Sequence, residues 1–266
     1  MEKENDMEKE KVLVSYSAGT DSTTLAFYYK NLGYDVTLVT LDDGAYNDPD
    51  LGEPYYNPNK EIDKTPYNEE LHFYADYYAK NYGFKHIKLR YPHVGALTAL
   101  PGVLRKSNNE STVAAETTGG CTFFVGYKFL MLASMLSFGA AHGYKILATG
   151  HQPFNDHYED ELPENIQKLR NLWVSIYGSR VNIPVIEHPF YKPEYDTKAK
   201  VIKLAYKLGV PLDWTYSCQA GKGRLEDGRY SHCGVCVNCQ ERVKAFKELG
   251  IKDPAPYLSN VVWEDL

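Results

Sequence analysis

Short runs of apolar, mostly β-branched residues alternate along the chain with longer segments whose apolar residues recur at helical spacing. The short runs predict buried strands, and the longer segments predict helices. We predict strands at 12–14, 35–41, 86–89, 146–149 and 184–186. We predict helices at 23–30, 68–82, 122–142, 162–177 and 197–208. Strands that alternate with helices imply right-handed crossovers, so we expect an α/β fold with a parallel sheet covered by helices on both faces.

Three polar segments interrupt this pattern. Residues 1–11 are almost all charged, and we expect them to form a frayed tail. Residues 45–66 are rich in Pro and Tyr, and residues 91–118 contain several Pro and Gly, with no periodicity in either segment. Loops of this length are usually functional lids or disordered segments.

Composition narrows the possible classes of protein. Hydrophobic residues make up 43% of the chain, enough for a sizeable core, and the net charge is −6. An acidic chain with a pI of about 5.8 lacks the basic face that a nucleic-acid backbone needs. The sequence contains no apolar run long enough to span a membrane. It also lacks the apolar centre of a signal peptide. We therefore expect no membrane, no direct binding of nucleic acid, and a location in the cytoplasm, or in the host cytoplasm if a virus encodes the chain.

The first strand runs into a turn of small and polar residues, Ser17-Ala18-Gly19-Thr20-Asp21-Ser22. Backbone N–H groups at the start of the next helix, together with the helix dipole, favour an anion at this point. Gly19 lets the backbone approach a ligand without a Cβ in the way. The alternative is an ordinary turn, since Ser, Gly and Asp are common turn residues. No Gly-Lys-Ser/Thr follows, so this is not a Walker loop.

The same string resembles the SGGxDS signature of the PP-loop ATP pyrophosphatases, with Ala18 where that family usually has its first Gly. The resemblance implies that ATP, with Mg²⁺, binds this loop and is split between the α and β phosphates. The implied ATP contacts are Tyr16, Ser17, Ala18, Gly19, Thr20, Asp21, Ser22, Thr23, Thr24, Leu25 and Asp42. Asp42 ends the second predicted strand, where a turn former is an equally good interpretation. For Asp21 the alternative is an N-cap of the first helix.

Four cysteines near the C-terminus follow the spacing C-x14-C-x2-C-x2-C. Tetrahedral Zn²⁺ takes four thiolates, and a short CxxC turn presents two sulfurs together, so we predict a closed structural zinc site. The predicted ligands are Cys218, Cys233, Cys236 and Cys239. Buried free thiols are the alternative, and a redox role for CxxC fits less well because nothing thioredoxin-like surrounds it.

Segments at both ends of the chain resemble the 7-cyano-7-deazaguanine synthase family. They include Tyr216-Ser217-Cys218, the run Cys233 to Cys239, Arg242, the run Lys244 to Phe246 and the run Gly250 to Tyr257. The loop from Ser17 to Ser22, Thr197-Lys198-Ala199, Tyr158-x-Asp160 and Pro163-Glu164 match as well. The resemblance is discontinuous and runs from Val12 to Tyr257.

This resemblance implies an enzyme that converts 7-carboxy-7-deazaguanine and ammonia, with ATP, to 7-cyano-7-deazaguanine through an adenylate and an amide. It implies catalytic roles near the phosphates for Asp21, Ser22 and Lys198, although Lys198 on a solvated helix face is the alternative. It places the substrate against Tyr158, Asp160 and Lys128. It also implies a homodimer.

The chain departs from that family on the substrate side. Tyr127-Lys128 stand where the family usually has Arg-Asn, and Leu162 stands where it has Arg. Ala45 opens an insertion, and 219–232 is longer than usual. Other possibilities therefore stay open: an enzyme that stops at the amide, a PP-loop enzyme acting on tRNA, or a nucleotide-binding homologue without catalysis. Thr149-Gly150-His151 with Asn155-Asp156 weakly resembles the TGHxxDD stretch of the tRNA enzymes.

We divide the chain into three parts on these grounds. Residues 1–11 form the tail, 12–215 an ATP-binding α/β domain of the PP-loop type, and 216–266 a small zinc lobe packed on it.

Overall fold

The computed structural model describes residues 9–42, 69–90, 127–153, 162–218, 223–258 and 261. Within these residues, five strands form one sheet in the order β3-β2-β1-β4-β5, and each neighbouring pair is parallel. The strands are β1 (Lys11–Ser15), β2 (Asp35–Asp42), β3 (Lys85–Arg90), β4 (Ile146–Ala148) and β5 (Val185–Glu187). The predicted α/β fold with a parallel sheet is confirmed.

The described chain contains six α-helices. They are α1 (Thr20–Asn31), α2 (Glu69–Tyr82), α3 (Tyr127–Ala141), α4 (Pro163–Tyr177), α5 (Lys198–Lys207) and α6 (Val237–Glu248). The pattern predicted the first five, whereas α6 was not predicted. The prediction that the first helix begins at Thr23 was wrong, since α1 begins at Thr20. Ser, Thr and Asp compete with the backbone for hydrogen bonds, so a helix that starts with them looks like a loop in the sequence.

The two faces of the sheet carry separate cores because successive side chains of a strand point to opposite sides. Val12 and Val14 face one side, where they pack in one cluster with residues of α1, α2, α5 and α6. Leu13 faces the other side, with residues of α3 and α4. Both faces are covered at the centre of the sheet, which explains why β1 and β4 are apolar runs rather than alternating ones.

Tyrosines and Trp214 join the C-terminal segment to α2. Tyr77 stacks on Trp214 with ring centroids 3.8 Å apart, and Tyr74 stacks on Tyr216 at 5.7 Å. The Tyr74 hydroxyl accepts a hydrogen bond of 2.8 Å from the backbone N–H of Tyr230. This packing uses several of the 23 tyrosines of the chain.

The sheet order reverses direction between β1 and β4, which lie side by side although α1, β2, α2, β3 and α3 separate them along the chain. In open parallel sheets, ligands bind at the carboxyl ends of the strands at such a point. The segments that follow β1 and β4 are therefore the place to look for a site. None of the described helices is long and apolar enough to cross a membrane.

Candidate active site and metal centre

The loop after β1 holds an unusual backbone conformation at Ala18. Its φ is +60°, the only positive φ of a non-glycine residue in the described ranges, and its side chain is fully buried. The Ala18 carbonyl accepts a hydrogen bond of 2.8 Å from the backbone N–H of Tyr216. A Cβ in the left-handed region costs about 1–2 kcal/mol, so the methyl that departs from the PP-loop signature stands where glycine would be unstrained.

Helix α1 presents an uncapped N-terminus beside this loop. Gly19 is the N-cap residue, and no side chain caps the helix. The first backbone N–H groups of a helix have no intrahelical acceptor, so those of Thr20, Asp21 and Ser22 are open to an anion. Asp21 lies inside the first turn, and its interpretation as the N-cap is wrong.

Hydroxyl groups of the loop and of α1 form hydrogen bonds with one another and with the loop backbone. Ser17 Oγ and Ser22 Oγ lie 3.2 Å apart, and Ser22 Oγ accepts a hydrogen bond of 3.2 Å from the backbone N–H of Ser17. Thr23 donates a hydrogen bond of 3.2 Å to the Tyr16 hydroxyl. Further along α1, Thr24 and Leu25 are fully buried in the helix.

Asp21 forms an ion pair with Lys198, which is distant in sequence. The Lys198 ammonium donates to Asp21 Oδ2, and the two side chains are only 14% and 17% exposed. Lys198 is the first residue of α5, and Thr197 caps that helix by accepting the Lys200 N–H. Two of the three predicted catalytic residues are thus in contact, and Ser22 lies one residue from Asp21. Asp42 ends β2, and its side chain is outside the described residues.

The segment after β4 packs against the N-terminus of α1. A Cβ on Gly150 would lie 3.3 Å from the backbone atoms Asp21 C and Ser22 N, so a larger residue would push the segment away from α1. Fully buried Gln152 donates through Nε2 to Asp21 Oδ1 at 3.4 Å. Its Oε1 is the one buried side-chain oxygen or nitrogen without a hydrogen-bond partner in the described chain. No motif in the sequence indicates a role for Gln152, and only its place after a predicted strand pointed to it.

Two histidines meet at Thr149, beside Gly150. Thr149 Oγ1 lies 2.6 Å from His188 Nδ1 and 3.4 Å from His151 Nδ1. Burial lowers the pKa of His188 to about 4. The pKa of His151 is lowered further below its usual value, first by burial and then by the charges of Lys128 and His188. Lys128, predicted to bind substrate, thus lies near this pair, whereas Tyr158 and Asp160 fall outside the described residues.

The four predicted zinc ligands converge, with all four sulfurs within 4.8 Å of one another. The Cys233–Cys239 and Cys218–Cys236 sulfurs are 3.9 and 4.0 Å apart. Tetrahedral Zn–S bonds of about 2.3 Å require sulfurs about 3.8 Å apart, so the cluster fits zinc. Neighbouring sulfurs and burial raise the pKa of the Cys239 thiol, and a bound cation would offset that penalty.

Arg242, on α6, joins the cysteine segment to the nucleotide loop. Its guanidinium is fully buried and pairs with Asp253 through bonds of 2.6 and 2.9 Å. It also donates to Thr215 Oγ1 at 2.7 Å and to Thr20 Oγ1 at 3.2 Å. The pKa of Asp253 is lowered, because the charge and hydrogen bonds of Arg242 outweigh the opposite effect of burial. In the sequence, Arg242 and Asp253 stood out only through the family resemblance, which implied no role for either residue.

Comparisons with known proteins show relatives over most of the chain. The family model for the queuosine biosynthesis protein QueC matches residues 66–250. A protein of Thermoplasma acidophilum named 7-cyano-7-deazaguanine synthase is 27% identical over 258 residues, covering 94% of this chain and 93% of its own. A protein of Rickettsia akari with the same name is also 27% identical and covers 93% and 99% of the two chains.

Among solved structures, a predicted tRNA methyltransferase subunit from Methanocaldococcus jannaschii covers 94% of this chain and 93% of its own, with 18% identity and a TM-score of 0.40. That likeness is too low to carry an argument. The family model, by contrast, spans most of the chain and includes α2 through α6 with the cysteine cluster. This chain therefore belongs to the QueC family of queuosine biosynthesis proteins.

Proposed function

We propose that this protein is a carbon–nitrogen ligase that converts 7-carboxy-7-deazaguanine and ammonia to 7-cyano-7-deazaguanine at the expense of ATP. The observation that carries the proposal is the Asp21–Lys198 ion pair. It lies at the N-terminus of α1, which no side chain caps, next to the point where the strand order changes direction between β1 and β4. The names of the relatives support the same activity. The product would serve queuosine biosynthesis, in keeping with the family.

The nucleotide would bind with its phosphates over the loop. The N–H groups of Thr20, Asp21 and Ser22 and the hydroxyl of Ser17 can donate to phosphate oxygens, and Lys198 supplies a positive charge. Asp21 keeps the Lys198 ammonium in place. Mg²⁺ would arrive with ATP, because it is usually held by substrate phosphates and a few carboxylates. Tyr16, Ala18, Gly19, Thr23, Thr24, Leu25 and Asp42 complete the proposed nucleotide environment.

The reaction then needs two activations. The substrate carboxylate attacks the α phosphorus of ATP, which releases pyrophosphate and leaves an acyl adenylate. Ammonia attacks the acyl carbon, the bond to AMP breaks, and the amide forms. The amide oxygen attacks the α phosphorus of a second ATP and releases pyrophosphate, and loss of AMP and of both protons of the amide nitrogen gives the nitrile. Positioning and charge stabilisation supply the catalysis, so no side chain need act as a nucleophile.

The base of the substrate is proposed to bind Asp160 and Tyr158, with Lys128 near its carboxylate. A carboxylate such as Asp160 can accept two hydrogen bonds from the amidine edge of a guanine-like ring. Leu162 replaces a rigid bidentate arginine, and a lysine cannot reproduce that geometry. Contacts from 45–66, acting as a lid, would compensate.

The C-terminal lobe, 216–266, is proposed to hold a structural Zn²⁺ and to support the nucleotide loop through Arg242. Helix α4, the edge strand β5 and the segment between them expose several large apolar side chains, which supports a homodimer. They are Leu172, Val174, Ile176, Tyr177, Val181 and Val185. We place the enzyme in the cytoplasm and expect no direct contact with nucleic acid, in keeping with its net charge of −6.

Product analysis tests the proposal. The zinc-loaded protein is incubated with 7-carboxy-7-deazaguanine, ammonium and Mg-ATP, and products are identified by mass spectrometry. We expect the nitrile, AMP and pyrophosphate; accumulation of the amide alone would assign an enzyme that stops there. Lys198→Met should lower turnover about 10²–10³-fold, whereas Lys200→Met, an exposed lysine on the same helix paired with Asp196, should not. ATP binding without any carboxylate-dependent AMP would refute the proposal in favour of a non-catalytic homologue.

A further inference from the structure

The two histidines at Thr149 lie on the side of the nucleotide loop where the carboxylate would be activated. Thr149 and His188 follow β4 and β5, whose carboxyl ends share one edge of the sheet with the loop after β1. The neighbours of His151 in sequence both contact the start of α1, Gly150 by close approach and Gln152 by its hydrogen bond to Asp21. The histidine pair is thus held next to the proposed phosphate site.

The Thr149 hydroxyl couples the protons of the two rings. Thr149 is 1% exposed, and the partners of its Oγ1 in the described chain are the two Nδ1 atoms. Its single proton is satisfied when it donates to His188 Nδ1, the nearer atom at 2.6 Å. His188 then carries its own proton on Nε2. His151 can donate from Nδ1 to the same oxygen, which leaves His151 Nε2 as an acceptor.

The Nε2 atoms of the two rings have no hydrogen-bond partner among the described residues, and neither is among the fully buried side-chain atoms there that lack a partner. The rings are nearly parallel, with centroids 6.1 Å apart and planes at 16°, and both converge on Thr149. Burial, and then the charges of Lys128 and His188, hold the pKa of His151 well below its usual value, so the ring is neutral at neutral pH and one of its nitrogens carries a free lone pair.

We propose that His151, Thr149 and His188 form the site at which the nitrogen nucleophile binds and loses its proton. This inference rests on the proposed function and assigns residues to its ammonia-dependent step. His151 and His188 act as catalytic residues, and Thr149 positions them.

The step is a balanced acyl transfer. The nitrogen lone pair of ammonia attacks the acyl carbon of the adenylate, the N–C bond forms, and the C–O bond to AMP breaks with its electron pair leaving on AMP. One proton of the new ammonium group passes to His151 Nε2 and then to solvent. The Nε2–H of His188 donates a hydrogen bond to the acyl oxygen, which gains negative charge as the nitrogen adds.

Two assays separate this step from activation. Exchange of labelled pyrophosphate into ATP, with 7-carboxy-7-deazaguanine and without ammonia, reports adenylate formation; single-turnover amide formation reports the attack of ammonia. For His151→Gln and His188→Gln we expect exchange within about 3-fold of wild type and amide formation slower by about 10²–10⁴-fold, the usual range for a lost general acid or base. His142→Gln, an exposed histidine at the end of α3, is the matched control and should leave both rates unchanged.

Hydroxylamine provides a rescue that a structural role would not show. The protonated nitrogen of its adduct is more acidic than that of the ammonia adduct and loses its proton to water without a base, so hydroxylamine should restore acyl transfer by His151→Gln, giving the hydroxamate, to within about 10-fold of wild type. Thr149→Val, which keeps the shape but loses the hydroxyl, should slow the ammonia step more than the exchange. Equal loss of exchange and amide formation, or no loss of amide formation, in the soluble variants would overturn the inference. Failure of the wild type to catalyse carboxylate-dependent exchange would instead refute the proposed function.

Discussion

Removal of the charge of Asp253 should destabilise the protein far more than removal of a similar charge at its surface. Asp253 and Arg242 form a bidentate pair in which both side chains are 0% exposed. Breaking a buried pair leaves an uncompensated charge and costs about 3–5 kcal/mol. Asp253→Asn keeps the shape of the side chain and one acceptor oxygen. We therefore expect it to lower the free energy of unfolding by about 3 kcal/mol, the lower end of that range.

A matched control lies in the same segment. Asp227 also pairs with an arginine, Arg229, at 2.7 Å, but the two side chains are 44% and 21% exposed. Asp227→Asn should change stability by about 1 kcal/mol or less, because solvent screens such pairs. Unfolding is followed by circular dichroism in urea, with zinc content measured for each variant. A chain of this size loses roughly 2–4 °C of melting temperature per kcal/mol, so Asp253→Asn should melt about 6–12 °C below wild type.

The pH dependence gives a second check with a definite sign. The folded-state pKa of Asp253 lies below the ordinary value of 3.8. The stabilisation is therefore fully present above that value and is lost as the pH falls through the lower folded pKa. The difference in free energy of unfolding between wild type and Asp253→Asn should be constant from about pH 5 to 8 and should narrow below about pH 4. If Asp253→Asn and Asp227→Asn lower the free energy of unfolding equally at pH 7, the buried pair does not stabilise the C-terminal segment and our account of it is wrong.

Four further predictions concern the metal, the nucleotide, the loop and the substrate. Cys236→Ser should lose zinc, measured by elemental analysis, and unfold or aggregate the C-terminal lobe; native protein purified without zinc would contradict the assignment. Asp21→Ala should weaken ATP binding or turnover with an unchanged circular dichroism spectrum, and ADP with phosphate as the wild-type products would show that the loop is misassigned. Ala18→Gly should raise stability by up to about 1 kcal/mol in urea, since relief of left-handed strain exceeds the entropy added to the unfolded chain; a loss of stability would refute the strain. Asp160→Asn should lower turnover of 7-carboxy-7-deazaguanine far more than affinity for ATP, and unchanged product formation would mean that the base pocket is misplaced.

Local patterns in the sequence were enough for the sheet and the metal ligands. Apolar runs predicted the inner strands β1, β2 and β4, because strands buried on both faces carry mostly apolar side chains. The edge strands β3 and β5 were predicted from short runs, although Lys85, Lys88 and Val185 in them are exposed. The cysteine spacing predicted four sulfurs that the structure brings within 4.8 Å, because most of that geometry is contained in one short turn. Helix α6 escaped prediction because its buried face carries Cys239 and Arg242, which hide the apolar period.

Contacts between distant parts of the chain were decided only by tertiary structure. Nothing local joins Asp21 to Lys198, His188 to Thr149, or Arg242 to Thr20. These contacts exist because β1 and β4 become neighbours in the sheet and α5 and α6 return to the face covered by α1. The sequence by itself determined which residues form most of the strands and the cysteine cluster, since those depend on periodicity and turn chemistry over a few residues. The order and packing of the elements determined which charges and hydrogen-bonding groups meet, since that depends on the burial of surfaces contributed by the whole chain.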